Sequence, residues 1–282
     1  MAGYTDYPTL LQESRPHIVS ICTGPHMHYE IIEQCVQNGV KAIYCEKPLD
    51  ISLEEAQKSV ELCEENGVVL VVNHMRRFSE FHQKISEGLE DETLGRMVVA
   101  SSGYSGGIYN SGTHVVDLIR LYFGEVKWVS AHFSPHINGN REDPNIDAVL
   151  GMRNNCQVVV QAHGIPGVFD VDIVTTKYKL HINAAALFND QPFLTVDKRE
   201  ENNYFTGSYK FVRNFDILEE FITLTTNTNN DYMVNGVEYL AECIDNKDLT
   251  PPPSGKDGFE ALRVVEKIHE SARNRGSRIY IG

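Results

Sequence analysis

A chain of 282 residues with 41% hydrophobic and 23% charged side chains has the composition of a folded globular protein with room for two domains, and excludes a disordered one. Its 39 acidic against 25 basic residues give a formal net charge of −14, which argues against nucleic acid or an anionic membrane as partner, since both need a basic face. Six cysteines are scattered without a Cys-x-x-Cys pair, no apolar run approaches the roughly 20 residues of a membrane span, and Met1 to Asp6 lacks the features of a secretion signal, so reduced thiols and a cytoplasmic location are expected.

In chain order, a short helix is predicted over Tyr7 to Glu13, and His17 to Thr23 reads as a buried strand ended by Gly24-Pro25. His28 to Gly39 carries helical apolar spacing at Ile31, Ile32, Cys35 and Val36, with Gly39 as a C-cap. A second strand spans Lys41 to Cys45, Ser52 opens a capped helix running to Asn66-Gly67, and Val68 to Val72 is an unbroken apolar strand. Strands alternating with helices through short connections indicate part of a doubly wound α/β fold.

Beyond Asn73 the pattern changes. Helices are predicted over Phe78 to Leu89, Ser111 to Phe123, Val212 to Thr225, Met233 to Cys243 and Lys256 to Arg273. Strands are predicted over Gly95 to Ser101, Lys127 to Phe133, Ile146 to Met152, Cys156 to His163, Phe169 to Thr175, Lys179 to Asn183 and Ser277 to Ile281. Such runs of strands indicate an α+β domain with a large, mostly antiparallel sheet. The expected division is 1–75 and 76–282, with the C-terminal helix a candidate to pack back on the first domain.

Two stretches carry chemistry. In Cys45-Glu46-Lys47-Pro48 an apolar strand ends in two charges and a proline, at the carboxyl strand end where open α/β sheets place ligands; a solvated loop is the plain alternative. In Gly106 to Arg120, a helix at about 100° per residue sets Asn110, His114 and Asp117 on one face, apart from the apolar stripe of Val115, Leu118, Ile119 and Tyr122. A histidine outside the stripe, among polar neighbours, favours a functional part over a packed core one. Neither His26 and His28 nor the wider set with His74 and His114 has metal-ligand spacing, so no metal site is expected.

In this order, Cys22 to His28, Cys45-Glu46-Lys47-Pro48-Leu49, Asn73 to Phe78 and Gly106 to Asp117 resemble the motifs of the Gfo/Idh/MocA family of nicotinamide-dependent dehydrogenases, over most of the chain. The resemblance implies NAD or NADP as cofactor, provided the family's N-terminal Gly-rich part is supplied, and a sugar, sugar nucleotide or cyclitol as substrate. It implies that Lys47, His114 and Asn110 are catalytic, with Lys47 and His114 in acid–base roles, and that Thr23, Pro25, His28, Glu46, Lys47, Pro48 and Asn73 contact cofactor. Arg76, Tyr109, Asn110, His114 and Lys47 become candidates to bind substrate, with Asn183 beside Tyr109 as a pocket-lining candidate; Arg76 and Arg77 are candidates to contact substrate or cofactor phosphate, with solvated or interdomain salt-bridge roles as the alternative. It also implies a homodimer or homotetramer formed through the second-domain sheet, and a cis peptide before Pro48.

Two departures stand out. Many members carry Asp where this chain has Asn110, and an amide orients substrate but exchanges no proton; by the resemblance, Asn here also occurs among sugar-nucleotide-processing relatives, which makes it a specificity clue. The family's opening Gly-x-Gly-x-x-Gly turn is absent from this sequence. By the resemblance the chain starts just before the fourth strand, without about two βα units. The first domain is therefore expected to be a partial, N-terminally truncated Rossmann domain. The competing expectation is a non-catalytic remnant serving as a binding or scaffold protein.

Overall fold

Three short strands, β1 (Ile18–Ile21), β2 (Ala42–Cys45) and β3 (Val69–Val72), form a parallel sheet in that order in the computed structural model, which describes residues 3–183, 193–203, 208–213, 232–246, 249 and 253–282. The register aligns Ile21 with Cys45 and Cys45 with Val72, so all three strands end at one level. Helices α1 (Tyr7–Ser14), α2 (His28–Gln37) and α3 (Leu53–Glu65) accompany the strands. Asp6 caps α1 by accepting the Thr9 N–H at 2.9 Å, and Ser52 caps α3 through the Glu55 N–H at 3.4 Å, as the Ser-x-x-Glu pattern predicts.

The chain divides into two compact units, Met1–Phe78 with Asp231–Arg263, and Ser79–Asn230 with Val264–Gly282. In the first, the late segment contributes helix α6 (Tyr232–Asp245) and the start of helix α7 (Gly255–Arg273). Leu240 joins Ala42, Tyr44, Val71 and Phe78 in a buried cluster. Just ahead of α7 the Val72 N–H donates to the Pro253 carbonyl, and Ser254 forms an antiparallel bridge with Val71, so late chain lines the β3 edge. Burial pushes the thiols of Cys35 up to about 11 and Cys63 up to about 12 and raises Cys45 well above the ordinary range. These three behave as small core hydrophobes.

The second unit holds a nine-stranded sheet. Its strands are β4 (Met97–Ser105), β5 (Val126–Phe133), β6 (Ile146–Met152), β7 (Gln157–His163), β8 (Phe169–Thr175), β9 (Tyr178–Asn183), β10 (Phe193–Asn203), β11 (Ser208–Arg213) and β12 (Ile279–Tyr280). Their order is β11-β10-β9-β8-β4-β7-β6-β5-β12, and among the described strands only β4 and β7 run parallel. Val158, Val160 and Ala162 of β7 are buried while Gln157, Val159 and Gln161 are exposed, the alternation of a sheet with one core face. Helices α4 (Glu80–Glu90) and α5 (Thr113–Phe123) belong to the same unit.

Strands β10 and β11 were not expected. The segment Thr195 to Asn203 is dense in charge and amide groups, which hides the period of two, yet both strands pair along the sheet edge. The helix expected from Val212 is corrected at its start, because Val212 and Arg213 pair in β11; residues 214–225 lie outside the described residues. Strand β4 runs on to Ser105 through Ser and Gly residues that read as loop. No helix of the described residues is long and apolar enough to cross a membrane.

Candidate active site

In the first unit the loops that follow β1, β2 and β3 leave from the same end of the sheet, and they carry Thr23, Glu46-Lys47-Pro48 and Asn73. The Glu46 N–H donates to the Ile21 carbonyl at 2.9 Å and the Asn73 N–H to the Cys45 carbonyl at 2.8 Å, extending the ladder by one residue on each side of β2. The Lys47–Pro48 peptide is cis. Lys47 and Pro48 are half-buried, Thr23 is exposed and Pro25 half-buried in the short 3₁₀ turn that leads into α2.

His28 is fully buried. Its Nδ1 lies 3.0 Å from the Leu49 carbonyl and its Nε2 3.1 Å from the Thr23 carbonyl, so one imidazole joins the loop after β1 to the loop after β2. That geometry gives His28 the part of holding Thr23 and the Glu46-Lys47-Pro48 loop in place. A second relay runs through Tyr44, whose hydroxyl donates to Asn73 Oδ1 at 2.7 Å, while Asn73 Nδ2 donates to Glu46 Oε1 at 2.8 Å. Tyr44 is missing from the sequence candidates, although a tyrosine in an apolar buried strand needs a partner for its hydroxyl. Arg76 is buried, and buried Arg77 pairs with Asp257 at 3.2 Å, whose other oxygen accepts from the Ser254 N–H and hydroxyl. Arg77 thus ties the entry of α7 to the turn after β3.

In the second unit, Asn110 and His114 come from two different pieces of helix. Residues Ile108–Gly112 form a π-helical turn, and α5 begins at Thr113. Thr113 joins them, its hydroxyl donating to the Tyr109 carbonyl at 2.9 Å and the Asn110 carbonyl at 3.2 Å. The turn is clamped by a loop between β5 and β6. One Asp143 oxygen accepts the Tyr109 N–H at 2.7 Å and the other the Asn110 N–H at 3.0 Å. Asn145 Oδ1 accepts the Gly107 N–H at 3.1 Å, and the Pro144 carbonyl accepts that of Ile108 at 3.1 Å. Asn110 is exposed and His114 half-buried.

Gly107 has φ +93°, and a Cβ there would land on the Asp143 carboxylate. Gly107→Ala is therefore expected to lose about 1–3 kcal/mol of stability from the strained conformation alone and to lower activity by displacing the Asp143 clamp. Thermal melting followed by an activity assay checks this, and an unchanged melt would show that the turn tolerates the side chain.

Tyr109 points its hydroxyl away from this turn and donates to Glu266 Oε1 of α7 at 2.8 Å, with its ring edge-on to His269 at 5.7 Å. Burial, then the Glu266 hydrogen bond, raises the Tyr109 phenol well above its ordinary range, so it remains a donor. Burial and the neighbouring Arg273 lower His269, which favours its neutral form. Asp117, on the His114 side of the helical wheel, is buried and lies 3.8 Å from the buried Arg120 guanidinium, which makes two hydrogen bonds to Glu125 at 3.0 and 2.7 Å. Asn183 ends β9 opposite Asp170 of β8. Asp143, Asn145 and Glu266 escape sequence reasoning because their contacts span 33 to 157 residues; the turn-forming run from Asn138 to Asn145 is the only local sign of them.

Residues 1–74 match the model of an oxidoreductase family with an NAD-binding Rossmann fold, and residues 79–169 match the GFO/IDH/MocA C-terminal domain. An uncharacterized oxidoreductase, YrbE, of Bacillus subtilis is 31% identical over 95% of this chain and 79% of its own length. The D-apiose dehydrogenase of Paraburkholderia graminis is 25% identical over 96% of this chain and 74% of its own length. A levoglucosan dehydrogenase solved with NADH and levoglucosan superposes with a TM-score of 0.78 over 99% of this chain and 83% of that one; at 18% identity this likeness establishes the fold.

Proposed function

We propose that this chain, which belongs to the Gfo/Idh/MocA family of NAD-binding oxidoreductases, oxidises a secondary alcohol of a sugar-type substrate reversibly, with Lys47 and His114 as its acid–base pair. The observation that carries this reading is the placement of Glu46-Lys47-Pro48 at the carboxyl ends of parallel strands, where such sheets take their ligands. The groups there suit a nicotinamide dinucleotide. The Glu46 carboxylate can accept from ribose hydroxyls, Lys47 can donate to them, and Thr23 and Pro25 line the same end. When bound, that cofactor supplies the hydride acceptor.

His114 takes the proton from the substrate hydroxyl, a task suited to an imidazole near neutral pH. The Lys47 ammonium donates to the same oxygen and stabilises the negative charge that develops on it. Asn110 orients the substrate through its amide and moves no proton. His28, Asn73 and Tyr44 hold the Lys47 loop, and Asp143 holds the turn that leads into α5. Assembly into a dimer or tetramer through the outer face of the large sheet, and a cytoplasmic location, belong to the same proposal.

Titration of NADH and of NADPH into the full chain, followed by calorimetry, tests it. Micromolar binding of either would count against a non-catalytic remnant, and absence of binding up to millimolar concentration would count against catalysis by this chain alone and favour a binding or scaffold protein.

A further inference from the structure

The turn that carries Asn110 depends on groups outside it for its position. Ile108–Gly112 is π-helical, a form found mostly as single turns and frequently at functional sites. Gly106 and Gly107 just ahead of it have φ +100° and +93°, so the chain leading in is permissive and does not fix the turn by itself. Inside the turn the Ser111 and Gly112 N–H groups both donate to the Gly107 carbonyl at 3.0 Å. From outside, the Asp143 carboxylate receives the Tyr109 and Asn110 N–H groups, and Glu266 Oε1 receives the Tyr109 hydroxyl at 2.8 Å.

These two clamps are fixed to different things. Asp143 lies in the loop between Phe133 and Ile146, so it sets the local shape of the turn and moves with that loop. Glu266 lies in α7, whose neighbouring Val264, Val265 and Ile268 are fully buried. A little over one turn further on, Ser271 Oγ accepts the Ala131 N–H of β5 at 2.9 Å and donates to the Ser277 carbonyl at 2.6 Å. The Glu266 carboxylate is therefore carried by a helix fastened to the large sheet. His269 of the same helix packs edge-on against the Tyr109 ring at 5.7 Å and the Phe133 ring at 6.0 Å, which holds the phenol in line with its acceptor.

We infer that Glu266 is a positioning residue of the proposed reaction: through the Tyr109 hydroxyl it fixes where the turn stands on the sheet, and with it the Asn110 amide and the start of the helix bearing His114. The inference rests on the dehydrogenase reading above and adds a residue to its machinery. Tyr109 then serves as a tether and not as the substrate contact that the resemblance implies. A phenol donating to a carboxylate makes a charge-assisted bond, roughly twice as strong as a neutral one. Its pull passes on through Thr113, whose hydroxyl donates to the Tyr109 and Asn110 carbonyls and which opens α5 one residue before His114. Groups that must meet a reacting atom are placed more precisely from a rigid element than from a loop.

Hydrogen exchange read by mass spectrometry, on the full chain without cofactor, tests the tether. Tyr109→Phe removes only the hydroxyl, and Glu266→Ala removes its acceptor. Each should speed exchange over residues 107–113 by about tenfold, the worth of one hydrogen bond to a charged group, with β6 and β7 exchanging as in the parent. Glu266→Gln keeps an acceptor for the phenol and should recover part of the protection. Turnover is then measured with NAD and whichever of myo-inositol, D-glucose or UDP-glucose the parent chain oxidises. Tyr109→Phe and Glu266→Ala should lower kcat by roughly 10–100-fold, the cost of a small misplacement, and leave KM within about twofold, with Glu266→Gln in between. Unchanged exchange in Tyr109→Phe, or exchange raised equally throughout the second unit, would overturn the inference. So would a raised KM at unchanged kcat, which would make Tyr109 a substrate contact. If the parent oxidises none of the three, the dehydrogenase reading fails, while the exchange data still decide whether Glu266 fixes the turn.

Discussion

Replacement of Lys47 by alanine is expected to lower turnover by about 10²–10⁴-fold, the contribution of a well-placed proton-transfer or charge-stabilising group, while the melting temperature stays near that of the parent. Lys47 is half-buried in a loop whose shape is held by other residues: the Glu46 N–H on Ile21, the Asn73 amide on Glu46 and the His28 ring beneath Leu49. Its removal should cost chemistry and not architecture. His114→Ala should give a loss of similar size. If the two side chains act on one substrate oxygen, the double variant should be little worse than either single one, because groups that work as a unit are non-additive. Turnover by Lys47→Ala within a few-fold of the parent would remove the lysine from the mechanism; multiplied losses in the double variant would separate the two roles.

The largest expected effect on stability lies away from any reacting atom. Arg120 is buried in α5, hydrogen-bonded twice to Glu125 and close to the buried Asp117. Arg120→Ala deprives a buried carboxylate of its neighbouring cation, a change worth about 3–5 kcal/mol in comparable pairs, and towards the lower end here because the Glu125 side chain is 47% exposed. At about 2–4 °C per kcal/mol for a domain of this size, a drop near 10 °C in thermal melting is expected. Asp117→Asn combined with Arg120→Met should recover part of it, since the buried carboxylate charge is then gone. A melt unchanged by Arg120→Ala would mean that the α5 carboxylate is neutralised in some other way.

Much of this architecture is legible locally. The strands at Ile146–Met152 and Phe169–Thr175 carry a period of two strong enough to set both ends, and the Ser52 cap fixes the start of α3. The Lys47 loop shows as charge and proline after an apolar strand, and the His114 helix as a polar face apart from its apolar stripe. What stays hidden is long-range. No pattern near Tyr109 announces that its hydroxyl reaches Glu266, or that Asp143 receives the N–H groups of the turn. A helical wheel sets Asp117 beside His114 as a polar neighbour, but it carries no information on burial, and that carboxylate is buried 3.8 Å from the Arg120 guanidinium. The charged run through β10 masks a strand whose order comes from its partners on either side.

The first unit is discontinuous: its early segment ends at Phe78 and its late segment begins at Asp231. Translation at about 5–20 residues per second separates these pieces by roughly 8–30 s. Until the later one leaves the ribosome, β3 lacks its bridge to Ser254 and the Tyr44 cluster lacks Leu240. The three parallel strands thus emerge first yet wait for their late segment, and the second unit, whose own late segment is Val264–Gly282, is completed after them. A nascent chain stalled before residue 231 should expose apolar β3 surface to chaperones, which makes the order of synthesis, and not only the final packing, part of how this molecule reaches its working form.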